Sequence, residues 1–214
     1  MANDEGDALV CVVDDDPEVR RSLDSLLRAT GYDVRTFAGP DSFLAFEEAE
    51  NIACLILDVR LEGADGLDFQ QMLVESAMPV RTILMSGYGD IPMSVRAMRA
   101  GAITFLSKPF KENELLAAIE EAVEQYRTKR ADLLQDASLR ARFDLLTERE
   151  REVLGLVTAG LMNKQIAGRL ALSEITVKIH RGNLMRKMQA QSLADLVRMA
   201  EHLGARARTS RYGG

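Results

Sequence analysis

The sequence has little of what marks disulfide-bonded, secreted or membrane proteins. Its 214 residues include only two cysteines, Cys11 and Cys54, each within an apolar run. This predicts buried thiols in a reducing compartment and argues against a disulfide framework or a cysteine metal site. No apolar run approaches the ~20 residues that a membrane helix needs. The acidic start MANDEGDALV lacks the basic-then-apolar order of a signal peptide, so we expect a soluble cytoplasmic protein with no membrane partner.

Basic residues are scarce in the first part of the chain and acidic residues in the rest. The whole chain has a net charge of −6, but residues 1–124 carry −14 and residues 125–214 carry +8. Such a split indicates two modules with different partners, the second a candidate for binding a polyanion. Ordinary variation in charge along a chain can produce the same asymmetry, so it supports nucleic-acid binding only weakly by itself.

The first module alternates short apolar runs with amphipathic segments. The runs are rich in β-branched residues, as strands buried on both faces are, and predict strands at 9–13, 34–37, 53–57, 80–84 and 103–106. Helical patterns lie between them at 17–30, 40–49, 66–76, 90–100 and from 111 onward. This order predicts an α/β fold with a doubly wound, five-stranded parallel sheet, in which ligands bind at the carboxyl ends of the strands.

The second module has only helical patterns. A capping box begins at Thr147, and further helices are predicted at 163–170, 174–188 and 192–202, which makes an all-α domain of four helices joined by tight turns. Apolar residues at alternating steps of three and four continue past the first module and predict an extended linker helix. The predicted domains are 1–124, a linker at 125–146, 147–204, and a flexible tail at 205–214.

Acidic side chains follow two of the predicted strands. Asp14, Asp15 and Asp16 come directly after the first strand, and Asp58 ends the third. Because these strands are neighbours in a doubly wound sheet, their carboxylates converge at one edge and repel one another unless a cation joins them. Hard oxygen ligands with open water positions suit Mg²⁺. The sequence therefore predicts a magnesium site at this edge.

Two further groups reach the same edge, because Ser86 follows the fourth strand and Lys108 the fifth. A carboxylate nucleophile, a divalent metal, a lysine and a hydroxyl together form a site that accepts a phosphoryl group. Taken singly, each residue has a simpler explanation, since an aspartate at a strand end often caps a helix and a lone lysine is usually a solvated charge. Chance explains the complete set poorly.

Four blocks of the first module resemble the signatures of a known family. VVDDDPEVRRSL, LILDVRLEGADGL, ILMSGYGD and FLSKPF, in this order, are similar to those of response-regulator receiver domains over about residues 8–124. The resemblance implies a flavodoxin-like sheet with strand order 2-1-3-4-5. It also implies that Asp58 accepts a phosphoryl group from the phosphohistidine of a sensor histidine kinase.

The resemblance to receiver domains implies a ligand set for the metal. Mg²⁺ would be bound directly by Asp15, Asp58 and the backbone carbonyl of Arg60, while Asp14 would act through water. Glu62 stands where most members of the family have proline, which predicts a less rigid loop after the acceptor.

The same resemblance implies a switch. Ser86 and Lys108 would hold the phosphoryl oxygens, and Phe105 would be the aromatic residue that changes rotamer, although a phenylalanine in an apolar strand can equally be a core residue. Lys108–Pro109 resembles the cis peptide of the family. Arg60 and Tyr88 occupy positions that influence how long the phosphoryl group survives.

The segment LLTEREREVLGLVTAGLMNKQIAGRLALSEITVKIHRGNLMRKM resembles the LuxR-type helix-turn-helix, so that the whole chain is similar to the FixJ type of response regulator. The 174–188 helix is predicted to have an apolar side and a cationic side, as a helix in the major groove needs. The side chains predicted to be buried are Ile175, Val177, Leu184 and Met188. The cations predicted to project outward are Lys178, Arg181, Arg186 and Lys187.

By resemblance, two residues would approach base edges and four would hold phosphates. The first are Lys178 and Ile179, and the second are Asn163, Lys164, Thr176 and Arg186. Gly182 is small where some relatives have a longer base-reading residue, so placement of the helix is expected to matter more there than direct readout. His180 is expected to pack or to contact phosphate rather than to act in catalysis. Charge alone does not exclude a solvated surface helix.

We therefore predict a phosphorylation-activated transcriptional regulator that dimerises and binds promoter DNA, with RNA polymerase as a further partner. It would be no enzyme beyond its own phosphoryl transfer and slow self-dephosphorylation. One alternative is a phosphatase with Asp14 as nucleophile and Asp16 as acid/base, but Glu18 stands where that motif has Thr or Val. A second is a DNA-binding protein whose receiver only dimerises, which would need no acidic site.

Overall fold

Short apolar segments of the first module form the strands of a central sheet. The strands are β1 (Leu9–Val13), β2 (Asp33–Phe37), β3 (Ile52–Asp58), β4 (Arg60–Leu61), β5 (Ala64–Asp65), β6 (Thr82–Ser86) and β7 (Thr104–Ser107). All residues of β1, β3 and β6 are buried, which explains their continuous apolar character. The two-residue strands β4 and β5 pair with each other as a separate antiparallel hairpin.

The helices alternate with the strands and then continue alone. They are α1 (Pro17–Ala29), α2 (Pro40–Leu44), α3 (Gly66–Glu75), α4 (Ile91–Arg99), α5 (Glu112–Asp144), α6 (Glu148–Thr158), α7 (Asn163–Leu170), α8 (Glu174–Met188) and α9 (Leu193–His202). This computed structural model describes residues 8–47, 51–76, 78, 80–87 and 91–205. Every helix in these ranges is either too short or too polar to span a lipid bilayer.

The five long strands are parallel and lie in the order β2-β1-β3-β6-β7. With the small β4–β5 hairpin set aside, this is the predicted order, so the predicted doubly wound sheet is confirmed. In such a sheet the carboxyl ends of β1, β3, β6 and β7 meet at one edge. The loops that follow these strands therefore bring their side chains together.

One apolar core lies on each face of the sheet. The first core contains side chains of α1 and α5, among them Leu27 and Ile119. The second contains side chains of α2, α3 and α4, among them Phe43, Phe69 and Ala97. Parallel sheets are covered on both faces in this way because their strands are apolar throughout.

Both cysteines are buried and free, as predicted. Burial raises the pKa of the Cys11 thiol to about 12, because the charged thiolate is disfavoured away from water. Burial also raises the pKa of the Cys54 thiol. Both groups are therefore protonated at neutral pH and contribute as small apolar side chains.

Several element ends differ from the prediction. Helix α2 ends at Leu44, with Ala45 as its C-cap, and not at 49. Strand β6 runs to Ser86 rather than to 84, because Met85 pairs with Asp58 and the polar Ser86 is fully buried. The tail predicted from 205 onward lies outside the described residues except for its first residue.

The chain divides into two units, the first ending at Arg130 and the second beginning at Ala131. Helix α5 covers most of the predicted linker and contributes to the core of each unit. Tyr126 is 8% exposed in the first unit and Leu139 is 8% exposed in the second, whereas every residue from 127 to 135 is exposed.

The core of the second unit is built by α6–α9 together with the end of α5. Its buried side chains include Leu139, Leu154, Ile166, Val177, Leu184 and Leu196. Thr147 and Glu150 form the predicted capping box at the start of α6. Ser173 and Ser192 cap α8 and α9 through their side chains, and Ala171 ends α7 with a left-handed backbone (φ 52°) that turns the chain into α8.

Candidate functional site

Three carboxylates converge at the carboxyl edge of the sheet. Asp14 and Asp15 follow β1, Asp58 ends β3, and their ligand atoms all lie within 4.8 Å of one another. Asp14 is fully buried and Asp58 is 8% exposed, whereas Asp15 faces solvent. Oxygen ligands of this kind, with one side open to water, are what Mg²⁺ prefers. The cluster therefore fits the predicted cation.

A lysine from the last strand joins the two buried carboxylates. The Lys108 Nζ atom lies 2.8 Å from Asp14 Oδ2 and 2.8 Å from Asp58 Oδ2. The Lys108 backbone N–H donates to the Ser86 carbonyl oxygen at 2.7 Å, which fixes where the side chain begins. The Lys108–Pro109 peptide bond is cis, as expected. The site thus combines carboxylates from two strands with one ammonium from a third.

The pKa values of this site reflect burial and charge together. Burial raises the pKa of the Asp14 carboxyl, although hydrogen bonds from Lys108 and from the Asp16 backbone N–H act in the opposite direction. Burial by itself lowers the pKa of the Lys108 ammonium, but its hydrogen bonds to Asp14 and Asp58 outweigh burial and raise that pKa. Lys108 is therefore a permanent positive charge at neutral pH.

The other predicted switch residues lie on the neighbouring strands. Ser86 ends β6 and is fully buried. Phe105, in β7, is half-buried and packs against the core on the α3–α4 face. The Arg60 backbone N–H donates to Asp58 Oδ1 at 3.3 Å, so that the chain turns directly after β3. Tyr88 lies outside the described residues.

Asp16 does not belong to the acidic cluster. Its side chain caps α1, where Oδ1 accepts a hydrogen bond from the Glu18 backbone N–H at 2.7 Å. Pro17 occupies the first helical turn, which suits proline because that turn needs no donor. Of the three aspartates after β1, only Asp14 and Asp15 approach Asp58.

A glycine contacts the backbone at the end of β3. A Cβ atom on Gly66, the first residue of α3, would lie 2.1 Å from the Asp58 carbonyl oxygen and 2.9 Å from Val59 Cα. The Gly66 N–H also donates to the Val59 carbonyl oxygen at 2.8 Å. The chain after Asp58 forms the β4–β5 hairpin and returns at position 66 to the backbone of Asp58 and Val59. This close approach is possible only because position 66 has no side chain.

Helix α8 has the predicted cationic character, but one buried position was predicted wrongly. Val177, Leu184 and Met188 are fully buried, whereas Ile175 is 73% exposed. Ile175 lies in the first turn of α8, two positions from Val177, and therefore points away from the core. The apolar character of isoleucine led to the wrong prediction.

One of the predicted outward cations also points inward. The Lys187 Nζ atom donates to Glu150 Oε2 at 2.6 Å and to the Leu145 carbonyl oxygen at 3.0 Å. The prediction that Lys187 projects outward is therefore wrong, because the buried Glu150 carboxylate attracts its ammonium.

The remaining predicted DNA-contacting residues lie on α7 and α8. Lys164, Lys178, Ile179 and Arg186 are exposed, and Asn163, Thr176 and Arg181 are half-buried. Arg181 donates to the Asn163 side-chain oxygen at 2.7 Å and so joins the two helices. Thr176 donates its backbone N–H to the Ser173 hydroxyl at 3.1 Å, at the start of α8.

Comparison with known families gives one match to each unit. Residues 10–120 match the response regulator receiver domain, and residues 144–200 match the bacterial regulatory proteins of the luxR family. Each match covers the residues that form the corresponding site. The chain is a response regulator.

Relatives of similar length match almost the whole chain, across both units. Nodulation protein W of Bradyrhizobium diazoefficiens is 48% identical over 94% of this chain and 88% of its own length. Transcriptional regulatory protein FixJ of Rhizobium meliloti is 41% identical over 91% of this chain and 95% of its own length.

Solved structures of response regulators have the same fold. The structure of the response regulator StyR is 44% identical, with a TM-score of 0.84, over 92% of this chain and 99% of that chain. Full-length FixJ from B. japonicum is 37% identical, with a TM-score of 0.55, over 93% of this chain and 98% of that chain.

Two features of this response regulator were not predicted as functional from its sequence. The first is Gly66, whose only sequence signal was its place in ADGL, after the loop that follows Asp58. The second is Arg142 of α5, which donates to the Met188 carbonyl oxygen at 3.1 Å. Arg142 precedes the part matched to the luxR family, yet it binds the carboxyl end of α8.

Proposed function

We propose that this response regulator is a DNA-binding transcriptional regulator that is activated by phosphorylation of Asp58 by a sensor histidine kinase. The observation that supports this best is the position of the Asp58 carboxylate, 2.8 Å from the Lys108 ammonium and within one acidic cluster. A nucleophilic carboxylate beside a fixed cation is what phosphoryl transfer requires.

Mg²⁺ is the proposed cofactor. Asp15, Asp58 and the backbone carbonyl of Arg60 would hold it, with Asp14 acting through water. Its charge would offset the negative charge of the carboxylates and of the arriving phosphoryl group. The residues fit this ion because the donor set consists of oxygen atoms with one exposed member, Asp15.

The chain's own residues carry out the transfer. One Asp58 oxygen attacks the phosphorus of the kinase phosphohistidine, a P–O bond forms, and the P–N bond breaks with its electron pair returning to the imidazole. Lys108, which already contacts Asp58, offsets the charge of the new acyl phosphate. Attack of water on that phosphorus later restores the carboxylate and releases phosphate. We propose no turnover of other phosphate esters.

Phosphorylation would act as a two-state switch. The acyl phosphate carries roughly two negative charges beside Ser86 and Lys108, about one more than the carboxylate that it replaces. The Ser86 hydroxyl and the Lys108 ammonium would then bind the phosphoryl oxygens, and half-buried Phe105 would change rotamer with them. The conformation that binds the phosphoryl group better becomes populated, and this conformation would dimerise.

The second unit would bind promoter DNA through α8. Lys178 and Ile179 would approach the base edges, while Asn163, Lys164, Thr176 and Arg186 would hold phosphates. A dimer would bind two half-sites related by two-fold symmetry. RNA polymerase is the proposed partner at the promoter, and the cytoplasm is where these partners meet.

The proposal is tested by DNA selection with the full-length chain. The chain, with and without acetyl phosphate and Mg²⁺, is presented with a random DNA library, and the affinity for enriched sequences is then measured. We expect phosphodonor to increase the affinity at least about tenfold, a coupling of about 1.4 kcal/mol. Asp58→Asn should abolish the response.

Asp132→Asn serves as the control, because Asp132 is an exposed aspartate on α5. It should respond to phosphodonor as the unmodified chain does. A full response by the Asp58→Asn variant would contradict the assignment of the acceptor. Enrichment of no sequence under any condition would contradict DNA binding itself.

A further inference from the structure

Helix α8 exposes two isoleucines to water. Ile175 is 73% exposed and Ile179 is 58% exposed, whereas Val177, Leu184 and Met188 of the same helix are fully buried. Among the described residues, neither isoleucine belongs to the apolar core of the second unit. The fold of this unit therefore does not account for either side chain.

The two isoleucines lie on one face of α8. They are four positions apart, so they are neighbours one turn from each other. Gly182 continues the same face three positions further on, and it too is exposed. A Cβ atom at Gly182 would meet nothing within 4 Å, so packing within the protein does not require a glycine there. We call Ile175, Ile179 and Gly182 the apolar face of α8.

The surroundings of the apolar face indicate the chemistry of its partner. Lys178 is exposed between the two isoleucines, and residues 125–214 carry a net charge of +8. A partner must therefore be anionic overall and yet present apolar groups at the contact. The major groove of DNA has this combination, because phosphates line it and the C5-methyl group of thymine is apolar.

We propose that Ile175, together with Ile179, binds C5-methyl groups of thymine in the major groove, and that Gly182 allows the helix backbone to lie close to the base edges. This inference rests on the proposed DNA-binding function. It adds Ile175 as a specificity-determining residue and predicts thymine at the positions of each half-site that face the first two turns of α8.

The test begins with sequences that the full-length chain, treated with acetyl phosphate and Mg²⁺, selects from a random library. Each thymine of an enriched site is then replaced by deoxyuridine, which removes the methyl group and keeps the hydrogen-bonding pattern. At the thymine that Ile175 contacts, we expect the affinity to fall about fourfold for each methyl group removed. Replacing that thymine in both half-sites should lower it about fifteenfold.

Ile175→Ala should lower the affinity for the thymine site and should make deoxyuridine and thymine equivalent at that position. Because Ile175 is exposed, the thermal unfolding temperature of this variant should match that of the unmodified chain. Leu193→Ala is the matched control, since Leu193 is an exposed apolar residue (44%) on a different helix. It should retain the full response to deoxyuridine.

Gly182→Ala tests the close approach. The added methyl group meets nothing within the protein and alanine favours a helix, so the unfolding temperature should stay the same or rise. The affinity for DNA should nevertheless fall at least about fivefold, because the added methyl group would overlap the base edges. Unchanged affinity would show that the helix backbone does not lie close to the bases.

The outcomes separate this inference from the function on which it rests. If sequences are enriched but no deoxyuridine replacement changes affinity more than about twofold, the thymine contact is wrong and DNA binding stands. If Ile175→Ala changes only the oligomeric state measured by light scattering, the apolar face binds a second copy of the chain. If no sequence is enriched, the proposed function fails and this inference fails with it.

Discussion

The Lys187 ammonium lies 2.6 Å from the carboxylate of Glu150 and joins the end of α8 to the start of α6. The Glu150 side chain is only 4% exposed and that of Lys187 is 29% exposed. Glu150 Oε2 also accepts a hydrogen bond from the Thr147 backbone N–H at 2.8 Å. One carboxylate therefore caps α6 and positions the helix proposed to bind DNA.

This pair should make the stability of the second unit depend on pH. Burial by itself raises the pKa of Glu150, but hydrogen bonds from Lys187 and Thr147 outweigh it and lower that pKa below its ordinary value of 4.5. A carboxyl whose pKa is lower in the folded state stabilises the fold above its unfolded-state pKa, and this contribution is lost as pH falls through the folded-state pKa. Between about pH 6 and about pH 3, the thermal unfolding temperature should therefore fall less for Glu150→Gln than for the unmodified chain.

Removing only the lysine should destabilise the second unit more than removing both charges. Lys187→Met leaves a buried carboxylate without its cation and should lower the free energy of unfolding by about 2–3 kcal/mol at neutral pH. The double variant Glu150→Gln/Lys187→Met should recover most of this loss, since glutamine can still accept from the Thr147 N–H. Equal losses for the single and the double variant would indicate that Lys187 contributes through packing alone.

Gly66→Ala should disturb the acidic site through the backbone of Asp58. The new Cβ would lie 2.1 Å from the Asp58 carbonyl oxygen, so the backbone must move, at a cost of about 1–3 kcal/mol of stability. Phosphorylation by acetyl phosphate should also slow, because Asp58 moves relative to Lys108. Intact-mass spectrometry measures the rate of this phosphorylation. Gly39→Ala is the control, since a Cβ at Gly39 meets nothing within 4 Å. Normal phosphorylation of Gly66→Ala would contradict this account.

The end of α5 should behave as a structural part of the DNA-binding unit. Leu139 is 8% exposed in the core of that unit, and Leu134 on the same helix is 64% exposed. Leu139→Ala should therefore lower the free energy of unfolding of this unit by about 2–3 kcal/mol, because it leaves a cavity. Leu134→Ala should change it by less than about 0.5 kcal/mol. Calorimetry of the full-length chain measures both, and equal effects would contradict the packing of α5 described above.

Local patterns were sufficient to predict the sheet and its acidic edge. The strands are short apolar runs, Asp14 directly follows one and Asp58 ends another, so the rule for parallel sheets brings their carboxylates together without further information. The capping box at Thr147 was equally local, because its two partners are three residues apart.

Contacts between distant residues could not be predicted in the same way. Glu150 and Lys187 pair across 37 residues, and nothing near Lys187 in the sequence distinguishes it from a solvated cation. Ile175 shows the opposite error, since an apolar residue in an amphipathic helix was assigned to the core although the unit fills its core without it. Periodicity identifies an apolar side chain but not the partner that it contacts.

Asp16 provides a test between a response regulator and a phosphatase. Its carboxylate caps α1 by accepting from the Glu18 N–H at 2.7 Å, so we expect it to have no part in proton transfer. Asp16→Ser preserves an acceptor for the cap and should therefore leave both stability and the rate of Asp58 phosphorylation unchanged. When given small phosphate esters, neither this variant nor the unmodified chain should release more than one phosphate per protein molecule. Steady multiple turnover by the unmodified chain, lost in Asp16→Ser, would instead identify Asp16 as an acid/base and the chain as an enzyme.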